Sequence, residues 1–396
     1  MLRHRLLSLF NAIWAIPAVI IIRLLRPWRL IRIGQLFSGR IGHFVPDALE
    51  HFLRREVAPV RTLDYFYFFG GISNSQWANM VTRNLNVKGK WLQYIWHWNE
   101  FIPGGKVHSL PQTFTQSRDI EGLLEQSKKR FDFMETENGI CEQWLISKGW
   151  KKGEPFICLQ VRDSLYLAEF DIANPNDSLQ IAHSYRDSDI KTYIAAIEWL
   201  TSQGYWVIRM GKIAKERLPV LDVKVIDYAF DDSKTDLLDI WLFANCTMCI
   251  STSTGPDWIS IAYGKPVLFL NALPLGGLFS FARSMWIPKN LVWKSSGTEL
   301  SLVEMLETTG FQTKDYESQG IAIQDLSPAE ILLGVQEFCE LMHDSQEIDY
   351  KNQSEQNTFW IHFSNWSRFS EFHKYMHAQS FVSRYWLKSR KREFYE

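Results

Sequence analysis

The chain comprises 396 residues, 46% of them hydrophobic and 22% charged, with a formal net charge of -1. This length accommodates two domains with appendages, and this composition a full core, which excludes a disordered chain. The near-neutral balance excludes a protein that holds nucleic acid by overall charge, so no nucleic-acid partner is expected.

The charge is unevenly placed. Met1 to Arg40 holds seven arginines and no Asp or Glu. Within this stretch residues 6–22 (LLSLFNAIWAIPAVIII) are mostly apolar, preceded by Arg3 and Arg5 and followed by Arg23, Arg26, Arg29 and Arg32. Such a run sits at the lower limit of about 17 residues for a spanning helix. No small-residue cleavage site follows it, and the downstream arginines favour keeping the rest of the chain cytoplasmic. Three readings stand: a spanning anchor or hairpin, an interfacial helix against anionic lipid, or an ordinary buried first helix. Attachment of residues 1–26 to the cytoplasmic face of the inner membrane is the expectation adopted.

A first Rossmann-like unit is expected over residues 27–150. Residues 30–36 read as a strand, Phe37-Ser-Gly-Arg-Ile-Gly-His-Phe44 as a glycine-containing loop and residues 46–56 as a helix. Residues 64–69 form a second buried strand, ended by Gly70-Gly71. Residues 74–85 read as a helix, 91–95 as a short strand, 97–111 as a loop-rich region and 120–149 as helical. Lys151-Lys-Gly-Glu-Pro155 marks a boundary. Beyond it, strands at 156–162, 205–210, 224–227, 247–250 and 267–270 alternate with helices at 190–203 and 236–245 and with one opening at Pro256. That alternation means a parallel sheet covered on both faces, a second Rossmann-like unit over residues 151–345. Residues 346–396 read as a helical tail whose aromatic spacing suits a helix packing back on the body. The five cysteines are odd in number and irregularly spaced, and Cys246-Thr-Met-Cys249 has no second pair or nearby His, so they read as buried free thiols in a reducing compartment.

The most informative stretch runs from Cys249 to Asn271. It reads as a strand end, a hydroxyl-rich turn (Ser251-Thr-Ser-Thr-Gly255), a helix opening at Pro256, a Gly264-Lys-Pro266 stop and a buried strand. Free backbone N–H groups and hydroxyls in front of a helix N-terminus form an anion site suited to a phosphate or diphosphate. An α/β crossover with a plain Ser/Thr cap gives the same pattern.

These features together make the chain similar to GT-B glycosyltransferases, within them to a family of bacterial glycosyltransferases, and more remotely to heptosyltransferases. The resemblance is carried by Val161-Arg162-Asp163, Tyr185-Arg186-Asp187-Ser188-Asp189-Ile190, Gly204-Tyr205-Trp-Val-Ile-Arg209-Met-Gly211, Val225-Ile-Asp227-Tyr228, Lys234-Thr-Asp236-Leu-Leu-Asp239, Ser253-Thr254-Gly255 and Asn271. It covers residues 150–310 well and the first unit only through Ser38 to Phe44. It implies a GT-B-like α/β fold: two Rossmann-like doubly wound domains with an interdomain cleft, the first binding an acceptor and the second a nucleotide-sugar donor. It also implies no cofactor beyond that donor. In heptosyltransferases an Asp thought to be the catalytic base follows the first glycine loop; the matching position here is His43, a residue suited to proton removal near neutral pH.

On this reading Ser253, Thr254 and Gly255 hold the donor diphosphate, and Arg162 and Arg186 grip phosphate or sugar from loops at the carboxyl edge of the sheet. One of Arg209 and Lys212 contacts the diphosphate, and such a positive set stabilises the departing nucleotide without a metal. Asn271 reads the base or ribose, and Arg40 binds acceptor or donor charge. Glu100 and His97 are reserve candidates for the base, while Asp236 and Asp239 complement a helix dipole. The expected activity is sugar transfer from a nucleotide-diphosphate sugar to a surface-polysaccharide, glycan or lipid-linked acceptor at the membrane. The rivals are an epimerase-like nucleotide-sugar enzyme and a non-catalytic nucleotide-sugar-binding protein. A dehydrogenase is disfavoured, since Gly39-Arg-Ile-Gly42 is not GxGxxG.

Overall fold

Five short runs rich in β-branched and large apolar residues, each buried along its whole length or nearly so, form the centre of the larger of two units. They are β3 (Phe156–Gln160), β4 (Trp206–Arg209), β6 (Met248–Ser251), β7 (Val267–Ala272) and β8 (Ser284–Pro288). Continuous burial marks strands covered on both faces. The computed structural model describes residues 2–58, 61–110, 117–165, 183–219, 222–308, 312–343, 354–390 and 392–395. Contacts divide the chain into a first unit, Met1–Asp119 with Leu123–Met134, and a second, Ile120–Gly122 with Glu135–Glu396. The proposed limit between body and tail, at 345/346, falls outside the described residues.

The first unit contains β1 (Leu30–Phe37) and β2 (Thr62–Phe69), paired in parallel, with Arg32 opposite Asp64. Arg32 grips Asp64 with two N–H groups, each at 2.7 Å, across the pair. Single parallel bridges add Ser109 beside Ile33 and Val87 beside Phe66. Among the described residues this unit therefore has a two-stranded sheet, smaller than the doubly wound domain expected. Three local expectations change. The second helix spans Ile41–Val57, so His43 lies in its first turn and not in a loop. Its start is set by Arg40, whose extended backbone ends there and whose carbonyl accepts the Phe44 N–H at 2.9 Å. Residues 92–101, read as strand and then loop, are the helix Leu92–Phe101, and Leu92, Ile95 and Asn99 are buried at helical spacing. The stretch read as helical over 120–149 is two helices, Leu123–Gln126 and Glu135–Ser147. Between them Phe131 inserts against Phe52 and Trp77, and Arg130 donates to the Leu124 and Ser127 carbonyls.

The N-terminal helix, Leu2–Leu24, packs on this unit through Ala15 and Val19, which share a cluster with Ile33, Tyr67, Leu92 and Ile95. No helix among the described residues is long and apolar enough to cross a membrane. Arg23 turns inward. It donates to the Asn99 side chain and to the carbonyls of Asn99, Ile102 and Pro103 at 2.7–3.3 Å, capping the C-terminus of the helix Leu92–Phe101.

In the second unit β5 (Val225–Ile226) and β11 (Ser380–Val382) complete a seven-stranded sheet, order β11-β8-β7-β6-β3-β4-β5, with every pair parallel. Strand order reverses between β3 and β6. In open α/β sheets this switch point is where the loops after the strands diverge and leave a crevice. The helices Ile194–Ser202 and Pro328–His343 pack together, and Asp236–Asn245 packs on both Glu135–Ser147 and Asp257–Ala262. The Trp241 indole donates to Asn138 at 2.8 Å, fixing Glu135–Ser147 to this unit. The C-terminal residues do more than pack back as a helix: β11 extends the sheet, locked by the buried amide of Gln356 on the Val382 backbone and by Glu337 on Ser383 and Arg384. A separate antiparallel pair joins β9 (Asn290–Trp293) and β10 (Ile321–Gln324). The five cysteines are free and buried.

The Arg23 clamp generates a stability prediction. Arg23→Ala leaves the carbonyls at that helix end without their donor and is expected to cost the first unit about 2 kcal/mol. Urea unfolding of the full chain measures it, and Arg23→Lys, lacking the guanidinium fork, recovers only part.

Candidate anion-binding site at the switch point

The loops leaving β3 and β6 are tied together directly. The Arg162 N–H donates to the Thr252 hydroxyl at 3.0 Å, and the Thr252 N–H donates to the Gln160 carbonyl at 3.1 Å. Ser253 follows in the left-handed region (φ 59°), and its carbonyl receives the Arg186 guanidinium. Arg162 directs its Nε to Asp187 at 3.1 Å. Thus Arg162, Arg186, Ser253, Thr254 and Gly255 lie in one place, as read from the sequence.

The segment carrying Arg186 is clamped from beneath. The Ser188 N–H donates to the Arg162 carbonyl at 3.0 Å, and the Asp187 carbonyl receives the buried Lys289 ammonium at 2.6 Å. Lys289 also pairs with Asp325 at 2.7 Å. Asn271, at φ 54° and fully buried, donates to the Ser188 hydroxyl at 3.0 Å and accepts the Leu326 N–H at 2.7 Å. Its amide is thereby used inside the protein, as a strut under the 186–188 segment.

Arg209 and Lys212 make none of these contacts. Arg209 is 2% exposed; it donates to the Glu216 carbonyl at 2.5 Å and faces Asp227 at 3.4 Å. Lys212 is exposed, its carbonyl accepts the Lys234 ammonium at 3.1 Å, and its charge acts on Asp239. Asp239 accepts the Tyr228 hydroxyl at 2.7 Å, and Thr235 caps the helix of Asp236 and Asp239 through the Leu238 N–H.

Two acidic residues complete the neighbourhood. Asp187 is not among the site residues read from the sequence; burial raises its carboxyl while Arg162 opposes the rise. Asp187-Ser-Asp189 has an Asp-x-Asp spacing, but Asp189 caps the turn after it by accepting the Lys191 N–H at 2.9 Å. Among the described residues no group of three His, Cys, Asp or Glu is arranged to hold a metal ion. Asp257 opens the six-residue helix Asp257–Ala262 and is fully buried, accepting the Ser251 hydroxyl at 2.9 Å and the Thr254 N–H at 2.7 Å. One of the N–H groups expected to face a ligand is therefore already used. The sequence signal for Asp257 was only that of an acid complementing a helix dipole.

The electrostatics are unbalanced. Burial, then the neighbouring charge of Arg186, pushes Arg162 down to about 10. Arg162 Nη2, Arg186 Nε and Thr254 Oγ1 are buried with no hydrogen-bond partner. Buried donors of this kind call for an acceptor, and two guanidiniums call for an anionic one. Beside them a cavity of about 340 Å³ is lined by Asp163, Asp187, Asp189, Glu216 and Asp325 together with Arg209 and Lys215. Ser253–Gly255 do not line it; Asp187 belongs to both, so the arginine cluster and the acidic cavity adjoin.

In the first unit His43 Nδ1 pairs with the Ser117 hydroxyl at 2.7 Å, and burial and then Arg40 lower its pKa. Arg40 is exposed at the N-cap of the same helix. His97 and Glu100 lie on the helix Leu92–Phe101, His97 against the rings of Trp98 and Phe101 and Glu100 accepting the Ser109 hydroxyl.

Burial pushes the Asp257 carboxyl up to about 7, against about 4 for an unfolded Asp. The native protein then binds more protons than the unfolded chain between those values. Asp257 thus contributes stability that is full below about pH 4 and lost as the pH rises through about 7. Unfolding midpoints measured from about pH 5 to 8 should fall more steeply for the wild type than for Asp257→Asn; parallel curves would contradict this.

No family model matches the chain, and no curated protein matches it in sequence. Solved structures that align with it include the glycosyl transferase family 9 protein from Veillonella parvula DSM 2008, at 11% identity and TM-score 0.43, over 66% of this chain and 86% of that one. Another is the E. coli ADP-heptose lps heptosyltransferase II, at 11% identity and TM-score 0.42, over 77% of this chain and 98% of that one.

Proposed function

We propose that the second unit binds a nucleotide-diphosphate sugar and that the protein transfers the sugar to a glycan or lipid-linked acceptor in surface-polysaccharide assembly. The observation that carries the reading is the pair of half-buried arginines, Arg162 and Arg186, each with a buried N–H group that has no partner, at the switch point of a parallel sheet where the buried Thr254 hydroxyl is also unpartnered. Switch-point crevices are where such sheets bind nucleotides, and two fixed guanidiniums suit a diphosphate. Charge grows on that diphosphate as it leaves, so donors already oriented toward it lower the barrier. The carboxylates lining the adjoining cavity accept hydroxyl protons, which suits the ribose or sugar beside the phosphates. His43, kept neutral near pH 7 by its lowered pKa, is the proposed base for the acceptor hydroxyl.

Two experiments test this. A nucleoside diphosphate at about 100 times its Kd should stabilise the wild type by about 2.7 kcal/mol, seen as a raised unfolding midpoint. Arg162→Ala and Arg186→Ala should each weaken that binding roughly 10- to 100-fold. If no nucleoside diphosphate or nucleotide sugar moves the wild-type midpoint, the donor site is not there. For transfer, His43→Gln should keep donor binding and lose roughly 10²- to 10⁴-fold in kcat. Unchanged kcat would remove His43 from the chemistry.

A further inference from the structure

The N-terminal helix Leu2–Leu24 is apolar on two sides, and only one of them is covered. Ala15 and Val19 face the core, with Trp14, Ala18 and Ile22 partly buried beside them. On the other side Phe10, Ile13, Ile20, Ile21 and Leu24 are 50–73% exposed, with Pro17 exposed among them. Their spacing of three and four residues puts them along one stripe. Trp28, just past the helix, is 76% exposed between exposed Arg26 and Arg29. Five large apolar side chains on one helix exceed the scattered exposure normal for a surface and mark an interaction face.

The charge pattern selects the occupant. No Asp or Glu occurs before Asp47, and the two arginines at the end of the stripe make no ion pair among the described residues. Apolar side chains ending in an aromatic ring and paired arginines match an anionic bilayer surface: acyl chains, then the interface, then headgroup phosphates. The same packing argues against spanning. Arg23 is held on the end of the helix Leu92–Phe101 and the opposite face is in the core, so crossing a bilayer would require abandoning both.

We infer that this helix lies in the plane of an anionic membrane surface, with Phe10, Ile13, Ile20 and Leu24 in the acyl boundary and Arg26 and Arg29 on the phosphates. The inference is independent of the donor site, because the residues that carry it all belong to the first unit. The test is cosedimentation of the full chain with phosphatidylcholine vesicles with and without phosphatidylglycerol. The wild type should sediment with the anionic vesicles and be released by salt. Ile13→Ser with Ile20→Ser and Leu24→Ser, all at exposed positions, should lower the vesicle partition on the order of 100-fold. Arg26→Glu with Arg29→Glu should lower it on the order of 10-fold on anionic vesicles only. Light scattering of the same proteins guards against another occupant. A wild type that stays in the supernatant, an apolar variant that partitions like the wild type, or a stable dimer dissolved by that variant would each overturn the inference.

Discussion

Two guanidiniums, Arg162 and Arg186, lie close together at the switch point, and Arg162 is the one bonded to a carboxylate, Asp187. Arg162 takes Asp187, leaving Arg186 to a backbone carbonyl, that of Ser253. Burial, and then the neighbouring charge of Arg186, displace Arg162 downward. A protein keeps such an arrangement only if rigid contacts prevent the side chains from swinging into solvent. Here the contacts are the Lys289 ammonium on the Asp187 carbonyl, the Asn271 amide on Ser188, and Ser188 on the Arg162 carbonyl. An anion between the guanidiniums would relieve the repulsion without moving any of them, which is the condition for tight, preorganised binding.

The same contacts explain which parts of the site could be read from the chain. The parallel sheet was legible because its strands are buried throughout, and runs such as Val267-Leu-Phe-Leu leave no polar face. Arg162 and the Ser253–Gly255 turn were legible because each directly follows such a run. Asn271 follows one too, yet its amide is spent on Ser188 and Leu326, residues separated from it by 83 and 55 positions. Nothing local distinguishes a strut from a ligand contact. Arg209 illustrates the same ambiguity, since its partner Asp227 lies just past the end of the neighbouring strand β5. β11 was illegible for a different reason: three residues carry no periodicity, and it becomes a strand only through pairing with Ser284–Trp286. His43 was placed in a loop because Pro46 resembles a helix start, whereas the helix begins earlier, where Arg40 supplies its carbonyl to Phe44.

Asp257 alters the physical account of how this turn would recognise an anion. A Ser/Thr-rich turn before a helix suggests that the helix dipole and its free N–H groups do the binding. The helix here has six residues, and its own first carboxylate occupies the Thr254 N–H. A negative charge already sits where the dipole would attract a phosphate. Any attraction must then come from side chains that overcome Asp257, and burial helps by pushing that carboxyl toward its neutral form. Protonated, Asp257 still orders the turn through Ser251 without opposing the incoming charge. On the proposed reading, recognition would therefore pass from the backbone to Arg162 and Arg186, whose planar, multiply donating forks impose geometry that a dipole alone does not.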